Sequence, residues 1–189
     1  MPELRQHQRL LVGHMIQIYT GDGKGKTSAA LGTILRAVGA GLRVALVYFD
    51  KGGDHYSERP VLAARFPEVE VHVTGRDRFD PATGTFIFGV TEEDRREAER
   101  GLAIANQLFD RKQHDLVILD EICTAIGLGI LKEEQVSELL DRKPAAVELI
   151  LTGRNAPPSL IQRADLVTEM NAVKHYFEQG TKARKGIDY

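Results

Sequence analysis

Five short apolar runs recur along this chain: "HMIQIY" (14–19), "RVALVYF" (43–49), "VEVHVT" (69–74), "DLVILDE" (115–121) and "VELILTG" (147–153). Most are continuous in Val, Ile and Leu rather than alternating, the pattern of strands buried on both faces. Helix-length segments separate them. Residues 26–39 read as one, closed near Gly41. A second opens at Thr91, where Asp94 completes a capping box ahead of an acidic first turn. It carries the helical stripe Ala98, Leu102, Ala105 and Phe109. Residues 131–142 read as a third, ended by Pro144. Strands alternating with helices in this order imply right-handed crossovers and a mainly parallel sheet with helices on both faces, an α/β fold. Ligands of such sheets bind beyond the carboxyl ends of the strands.

The 189 residues are expected to form a single domain, with 1–13 a flexible N-terminal segment and 173–189 a C-terminal tail. An apolar fraction of 42% and a charged fraction of 28% are ordinary for a globular protein. The formal net charge of −2 offers no global field for nucleic acid or a membrane surface. No apolar run approaches the roughly 18 residues of a spanning helix. A lone cysteine, Cys123, allows no internal disulfide and fits a reducing compartment, so a cytoplasmic location is expected. Residues 74–90, "TGRDRFDPATGTFIFGV", read as a long loop, and loops of that length commonly carry function.

Between the first strand and the first helix stands "TGDGKGKT", residues 20–27. It nearly matches the phosphate-binding pattern G-x-x-x-x-G-K-[ST], with Thr20 in place of the first glycine. Gly21, Gly23 and Gly25 have the backbone freedom to turn N–H groups inward around an anion, with Asp22 between them. The helix opening at Lys26 adds its positive dipole end, with Ser28 in the first turn. Lys26 is expected on phosphate oxygens and the Thr27 hydroxyl on a magnesium ion. Lys24 has two readings, a phosphate contact or a solvated lysine.

A second strand end, "LVILDE", terminates in Asp120 and Glu121, where phosphate-loop proteins hold magnesium. Two adjacent carboxylates at a buried strand end are costly without a nearby cation. The plain alternative is a helix N-cap role for one of them. A third strand end, "ILTGRNAPP", brings Arg154 to the same rim, a forked donor suited to triphosphate. Asp50 and Lys51, ending the second strand, share that rim, and their position implies nothing further. Cys123 reads as a core residue, and the six histidines show no paired metal-ligand spacing.

These motifs alone imply a magnesium-dependent nucleoside triphosphate protein and leave its reaction open. A kinase or ATPase, with Glu121 as the activating group, and a non-catalytic ATP-binding regulatory module both remain.

The chain resembles the phosphate-loop type of corrinoid adenosyltransferase. "YTGDGKGKTSAALGTILRAVGAG", "VILDEI", "ELILTGRNAP" and the tail "ADLVTEMNAVKHYFEQGTKARKGIDY" carry the resemblance, in family order. It implies a RecA-like P-loop NTPase fold and transfer of the 5′-deoxyadenosyl group of ATP to the Co(I) centre of a corrinoid, with release of tripolyphosphate. Lys26, Thr27 and Glu121 are then the catalytic candidates. Thr20, Gly21, Asp22, Gly23, Lys24, Gly25, Lys26, Thr27, Ser28 and Arg154 are the ATP-binding candidates, and Thr27, Asp120 and Glu121 the ligands of Mg2+ or Mn2+. Family members present aromatic residues to the corrinoid after the third strand, typically a phenylalanine and a tryptophan. This sequence has no tryptophan, and Phe86 and Phe88 are the candidates. A cobalt-ligating D-x-H-x-x-G motif is absent, as suits a protein that works on corrinoids rather than carrying them. The resemblance further implies a homodimer and a separate, flavodoxin-like reductase supplying electrons.

Overall fold

The computed structural model describes residues 15–80, 85–87 and 89–189, with backbone only at residues 79, 80, 85 and 86. The expected N-terminal segment 1–13 and Phe88 lie outside the described residues. Six strands form one parallel sheet in the order β3-β2-β6-β7-β1-β8. They are β1 (Ile16–Thr20), β2 (Val44–Tyr48), β3 (Val69–Val73), β6 (Leu116–Asp120), β7 (Glu148–Thr152) and β8 (Leu166–Glu169). The helices are α1 (Lys26–Gly39), α2 (Glu58–Arg65), α3 (Glu92–Arg111), α4 (Ile122–Gly127), α5 (Glu133–Asp141) and α6 (Pro158–Arg163).

The continuous apolar runs are explained by two cores, one on each face of the sheet. On β2, Ala45 and Val47 join the core built with α3, α4 and α5, while Val44, Leu46 and Tyr48 join the core under α1 and α2. β6 divides the same way, with Val117 and Leu119 on one face and Leu116 and Ile118 on the other. Side chains alternate across a strand, so a strand covered on both faces is apolar at every position. Each fully buried Val, Leu or Ile contributes about 1.5–3 kcal/mol. The stripe expected on the second helix is buried at Ala98, Leu102, Ala105 and Phe109 of α3. Thr91 and Asp94 form its capping box as expected, Asp94 Oδ2 accepting from the Thr91 N–H at 2.7 Å.

The apolar pattern missed β8, whose four residues are all exposed at the sheet edge. A strand with little burial needs no apolar run and leaves none to read. It nevertheless positions the glycine loop. Beyond β8, the Met170 N–H donates to the Thr20 carbonyl at 2.9 Å, and the Met170 carbonyl accepts from the Gly23 N–H at 2.6 Å. At Gly21, with φ +94, an added Cβ would stand 2.5 Å from the Met170 carbonyl oxygen, so the loop lies against this strand without space for a side chain. Short helices α2, α4 and α6 also escaped the reading, since eight, six and six residues show too few turns for a period to emerge.

Residues 74–90, expected as a loop, contain a small hairpin of β4 (Phe79–Asp80) and β5 (Thr85–Phe86), which pair antiparallel. Arg78 anchors it, donating to Asp50 Oδ1 at 2.7 Å, Asp94 Oδ1 at 2.9 Å and the Gly89 carbonyl at 2.8 Å. Among the described residues, no helix is long and apolar enough to cross a membrane.

Candidate functional site

At the carboxyl ends of β1, β2, β6 and β7 opens a cavity of about 620 Å³. Its floor is the glycine loop and the start of α1. Gly25, with φ +124, occupies the N-cap position and offers no side chain to the first helical amides. Those amides and the helix dipole therefore face whatever anion enters. Gly23, Lys24, Gly25, Lys26, Thr27 and Ser28 line the cavity, and Glu121 and Arg154 stand across from them. Thr20, Gly21 and Asp22 are not among its lining residues. The Thr20 hydroxyl accepts from the Ala156 N–H at 3.2 Å, tying the loop to the segment after β7, and Asp22 is exposed. The Gly23 N–H, expected to turn inward, is engaged by Met170 instead.

Every lysine of the site has an internal partner. Lys26 is 6% exposed and curls over the loop, donating to the carbonyls of Gly21 at 2.7 Å and Gly23 at 2.8 Å. Burial pushes its pKa below the ordinary lysine value, against the opposing pull of Glu121. Lys24 donates to the Ile187 carbonyl at 2.7 Å and pairs with Asp188 at 3.7 Å. The tail thus lies beside the phosphate loop. Ser57 clasps its end by donating to the Tyr189 carbonyl at 2.9 Å. Within the tail, Asp188 accepts from the Tyr176 hydroxyl and from the Arg184 N–H at 2.9 Å, and the Arg184 guanidinium lies 4.6 Å from the Tyr176 ring centre. Partial burial works against the Asp188 charge, but these hydrogen bonds outweigh it and draw the carboxyl down to about 2.

The third lysine is Lys51, which position on the rim alone left without a role. Its ammonium reaches Asp120 Oδ2 at 2.6 Å, the Thr27 hydroxyl at 2.8 Å and Glu121 Oε1 at 3.5 Å. Burial alone would lower its pKa, but Asp120 and Glu121 overcome it and hold the group well above the ordinary lysine value. Asp120 is wholly buried, its Oδ1 accepting from the Thr152 hydroxyl at 2.7 Å and its Oδ2 from Thr27 at 3.2 Å. Glu121 occupies the N-cap position of α4, yet its carboxylate accepts from the Thr124 hydroxyl rather than capping a backbone amide. Its backbone sits in the left-handed region at φ +64, a conformation costing a non-glycine residue about 1–2 kcal/mol. Such local cost is common where a side chain must be aimed.

Thr27, Asp120 and Glu121 supply three hard oxygen donors converging on one cationic position, already filled by positive charge from Lys51. Magnesium takes one or two carboxylates and completes its shell with phosphate and water. The 3.2 Å between Thr27 Oγ1 and Asp120 Oδ2 is near the roughly 2.9 Å separating neighbouring ligands of an octahedral ion with bonds of about 2.0–2.1 Å. The donor set fits that ion.

Other candidates lie as follows. Arg154 is at the cavity wall, its backbone N–H donating to the Thr124 hydroxyl at 2.9 Å. The Phe86 backbone pairs with Phe79 across the hairpin, while Phe88 lies outside the described residues. Cys123 is buried in the core as expected, which pushes its thiol up to about 12. Sequence reasoning missed Tyr56, Ser57 and Glu58 on the cavity wall and the roles of Lys51 and Met170. Only Lys51 left a usable signal, a cation directly beyond a strand end.

Residues 13–189 match the family described as ATP:corrinoid adenosyltransferase BtuR/CobO/CobP. A corrinoid adenosyltransferase of Pseudomonas aeruginosa is 37% identical over 176 residues, covering 93% of this chain and 83% of that protein. One from Escherichia coli K12 is 37% identical over 175 residues, covering 93% and 85%. Corrinoid adenosyltransferase CobA of Salmonella typhimurium is 36% identical over 180 residues, again covering 93% and 85%. With a glycine loop, an acidic strand end and a match running through the C-terminal tail, this chain belongs to the ATP:corrinoid adenosyltransferase family.

Proposed function

We propose that this protein transfers the 5′-deoxyadenosyl group of ATP to the Co(I) centre of a corrinoid and releases tripolyphosphate. The observation that carries this reading is the convergence of Lys24, Lys26, Thr27, Arg154 and the first-turn amides of α1 on one cavity in a chain of this family. Co(I) is a strong nucleophile that bears no proton, so attack on the ribose carbon needs no general base. The demanding part is departure of a triphosphate from a primary carbon. Preorganised donors lower that barrier by stabilising the developing charge. Here the helix amides, Lys26 and Arg154 bind the polyphosphate, and Lys24 closes the loop side. Thr27, Asp120 and Glu121 hold a divalent cation, which when bound supplies further charge for the leaving group. The nucleotide's sugar faces away from the loop, towards the corrinoid. Orientation of the two reactants supplies a further large share of the rate.

Phe86 and Phe88 remain the corrinoid-facing candidates on this reading. The protein works as a homodimer in the cytoplasm and takes electrons from a separate reductase. The test is incubation with ATP, magnesium and chemically reduced cobalamin, following the corrin spectrum and the phosphate product. Formation of an alkylated corrin with tripolyphosphate supports the assignment. Orthophosphate with the corrin unalkylated would overturn it in favour of an ATPase.

A further inference from the structure

The acids at the end of β6 require a cation, and the fold supplies one from within. We propose that Lys51 is a built-in stand-in for the divalent ion: its ammonium holds the Thr27–Asp120–Glu121 site in the nucleotide-free protein, and entry of metal with ATP expels it. This inference rests on the reading of those three residues as the metal-binding set.

Three observations carry it. First, the ammonium occupies the ligand position itself, at 2.6 Å from Asp120 Oδ2 and 2.8 Å from Thr27 Oγ1. A metal bonded to those two oxygens at about 2.0–2.1 Å, on the side where the ammonium meets Glu121, would overlap it, so both cannot hold that side together. Second, the chain is shaped to deliver Lys51 there. Asp50 takes a left-handed turn at φ +52 directly beyond β2, and the Lys51 N–H donates to the Thr74 carbonyl at 3.2 Å. Arg59 then clamps the segment by donating to the carbonyls of Lys51 and Gly53. A solvated lysine needs none of this. Third, an exit exists. Lys51 lines the cavity, and the Tyr48 and Tyr56 rings have centres 5.8 and 5.9 Å from its ammonium. The Arg59 guanidinium already lies 4.7 and 4.3 Å from those ring centres, so a displaced ammonium leaves into the open cavity.

Without such a stand-in, a buried carboxylate and its neighbour would stand uncompensated in the empty protein. With it, free metal must compete against a tethered cation, so the site favours metal that arrives with a polyphosphate. Lys51 is therefore a positioning residue for the metal and gates its order of binding.

The test measures Mn2+ affinity by electron paramagnetic resonance in the full chain without nucleotide. Lys51→Met should bind Mn2+ at least about tenfold more tightly than wild type, because a unit charge competing at contact distance has been removed. Lys51→Met/Asp120→Asn should lose that gain. Equal affinities in wild type and Lys51→Met, with Asp120→Asn weakening both, would overturn the stand-in and leave the metal site standing. Binding indifferent to Asp120 in every variant would overturn the metal-site reading and this inference with it. A crystal structure of the wild-type protein with Mg·ATP gives a check independent of how Lys51→Met folds. Lys51 Nζ more than about 4 Å from Asp120, beyond ion-pair contact, supports the exchange. A retained 2.6 Å contact refutes it.

Discussion

Thr152 offers the sharpest test of how the acidic strand end is held. Its hydroxyl is fully buried, donates to Asp120 Oδ1 at 2.7 Å and accepts from the Glu121 N–H at 2.9 Å. Thr152→Val keeps the shape, so no cavity term enters. It removes both hydrogen bonds. Asp120 Oδ1 loses its donor, while Oδ2 keeps Lys51 and Thr27. A hydrogen bond to a buried charged group contributes about 1.5–3 kcal/mol, and an orphaned buried N–H costs about 1–3 kcal/mol, giving a loss of about 2.5–6 kcal/mol. At about 2–4 °C per kcal/mol for a chain of this size, the midpoint of thermal unfolding should fall by about 5–24 °C. Thr152→Ser keeps both bonds and gives up one methyl group, costing about 1 kcal/mol. Scanning calorimetry on the three proteins, without nucleotide, measures the difference. A Thr152→Val protein melting within about 2 °C of Thr152→Ser would refute the argument, because the hydroxyl would then be contributing nothing that a methyl cannot.

Lys26→Ala should lower turnover by about 10²–10³ while leaving the melting temperature within a few degrees, the scale for losing one preorganised charge-stabilising donor. A near-normal rate in the spectrophotometric corrin assay would contradict the leaving-group assignment. Asp188 has a folded pKa depressed to about 2 against 3.8, so its contribution to tail docking is complete above pH 3.8 and disappears as pH falls through 2. The amide resonance of Arg184, which donates to Asp188 Oδ2 at 2.9 Å, should therefore titrate with a midpoint near 2. A midpoint at 3.8 would mean that the tail contacts do not hold the carboxylate. Arg78→Ala should destabilise the fold by about 3–5 kcal/mol in urea, because Asp50 loses its guanidinium partner while Asp94 retains Arg76 and Thr91. It should also speed proteolysis within 74–90. Unchanged cleavage there would argue against Arg78 as the hairpin's anchor.

Much of the fold was legible locally because burial on both faces writes a strand as an unbroken apolar run. β2 and β6 show this, and so does α3, whose capping box and stripe need only neighbours three or four residues apart. The glycine loop was legible for a similar reason, since an anion cradle at a helix start uses consecutive backbone groups. β8 was not, because an exposed edge strand requires no apolar pattern and its effect on Gly21 and Gly23 passes through the Met170 backbone, which has no residue code.

The acidic pair marks the boundary between the two kinds of knowledge. That Asp120 and Glu121 need a cation follows from their adjacency at the end of an apolar run, and the sequence by itself determined that much, along with the phosphate-loop character and the α/β architecture. Which cation meets them was decided by tertiary structure, since Lys51 lies 69 positions from Asp120 and 24 from Thr27. The same holds for the tail, whose Ile187 carbonyl meets Lys24 across 163 positions. Local chemistry sets what a group requires. Only the closing of the sheet, which brings β2 beside β6 and the chain end beside the glycine loop, determines what satisfies it.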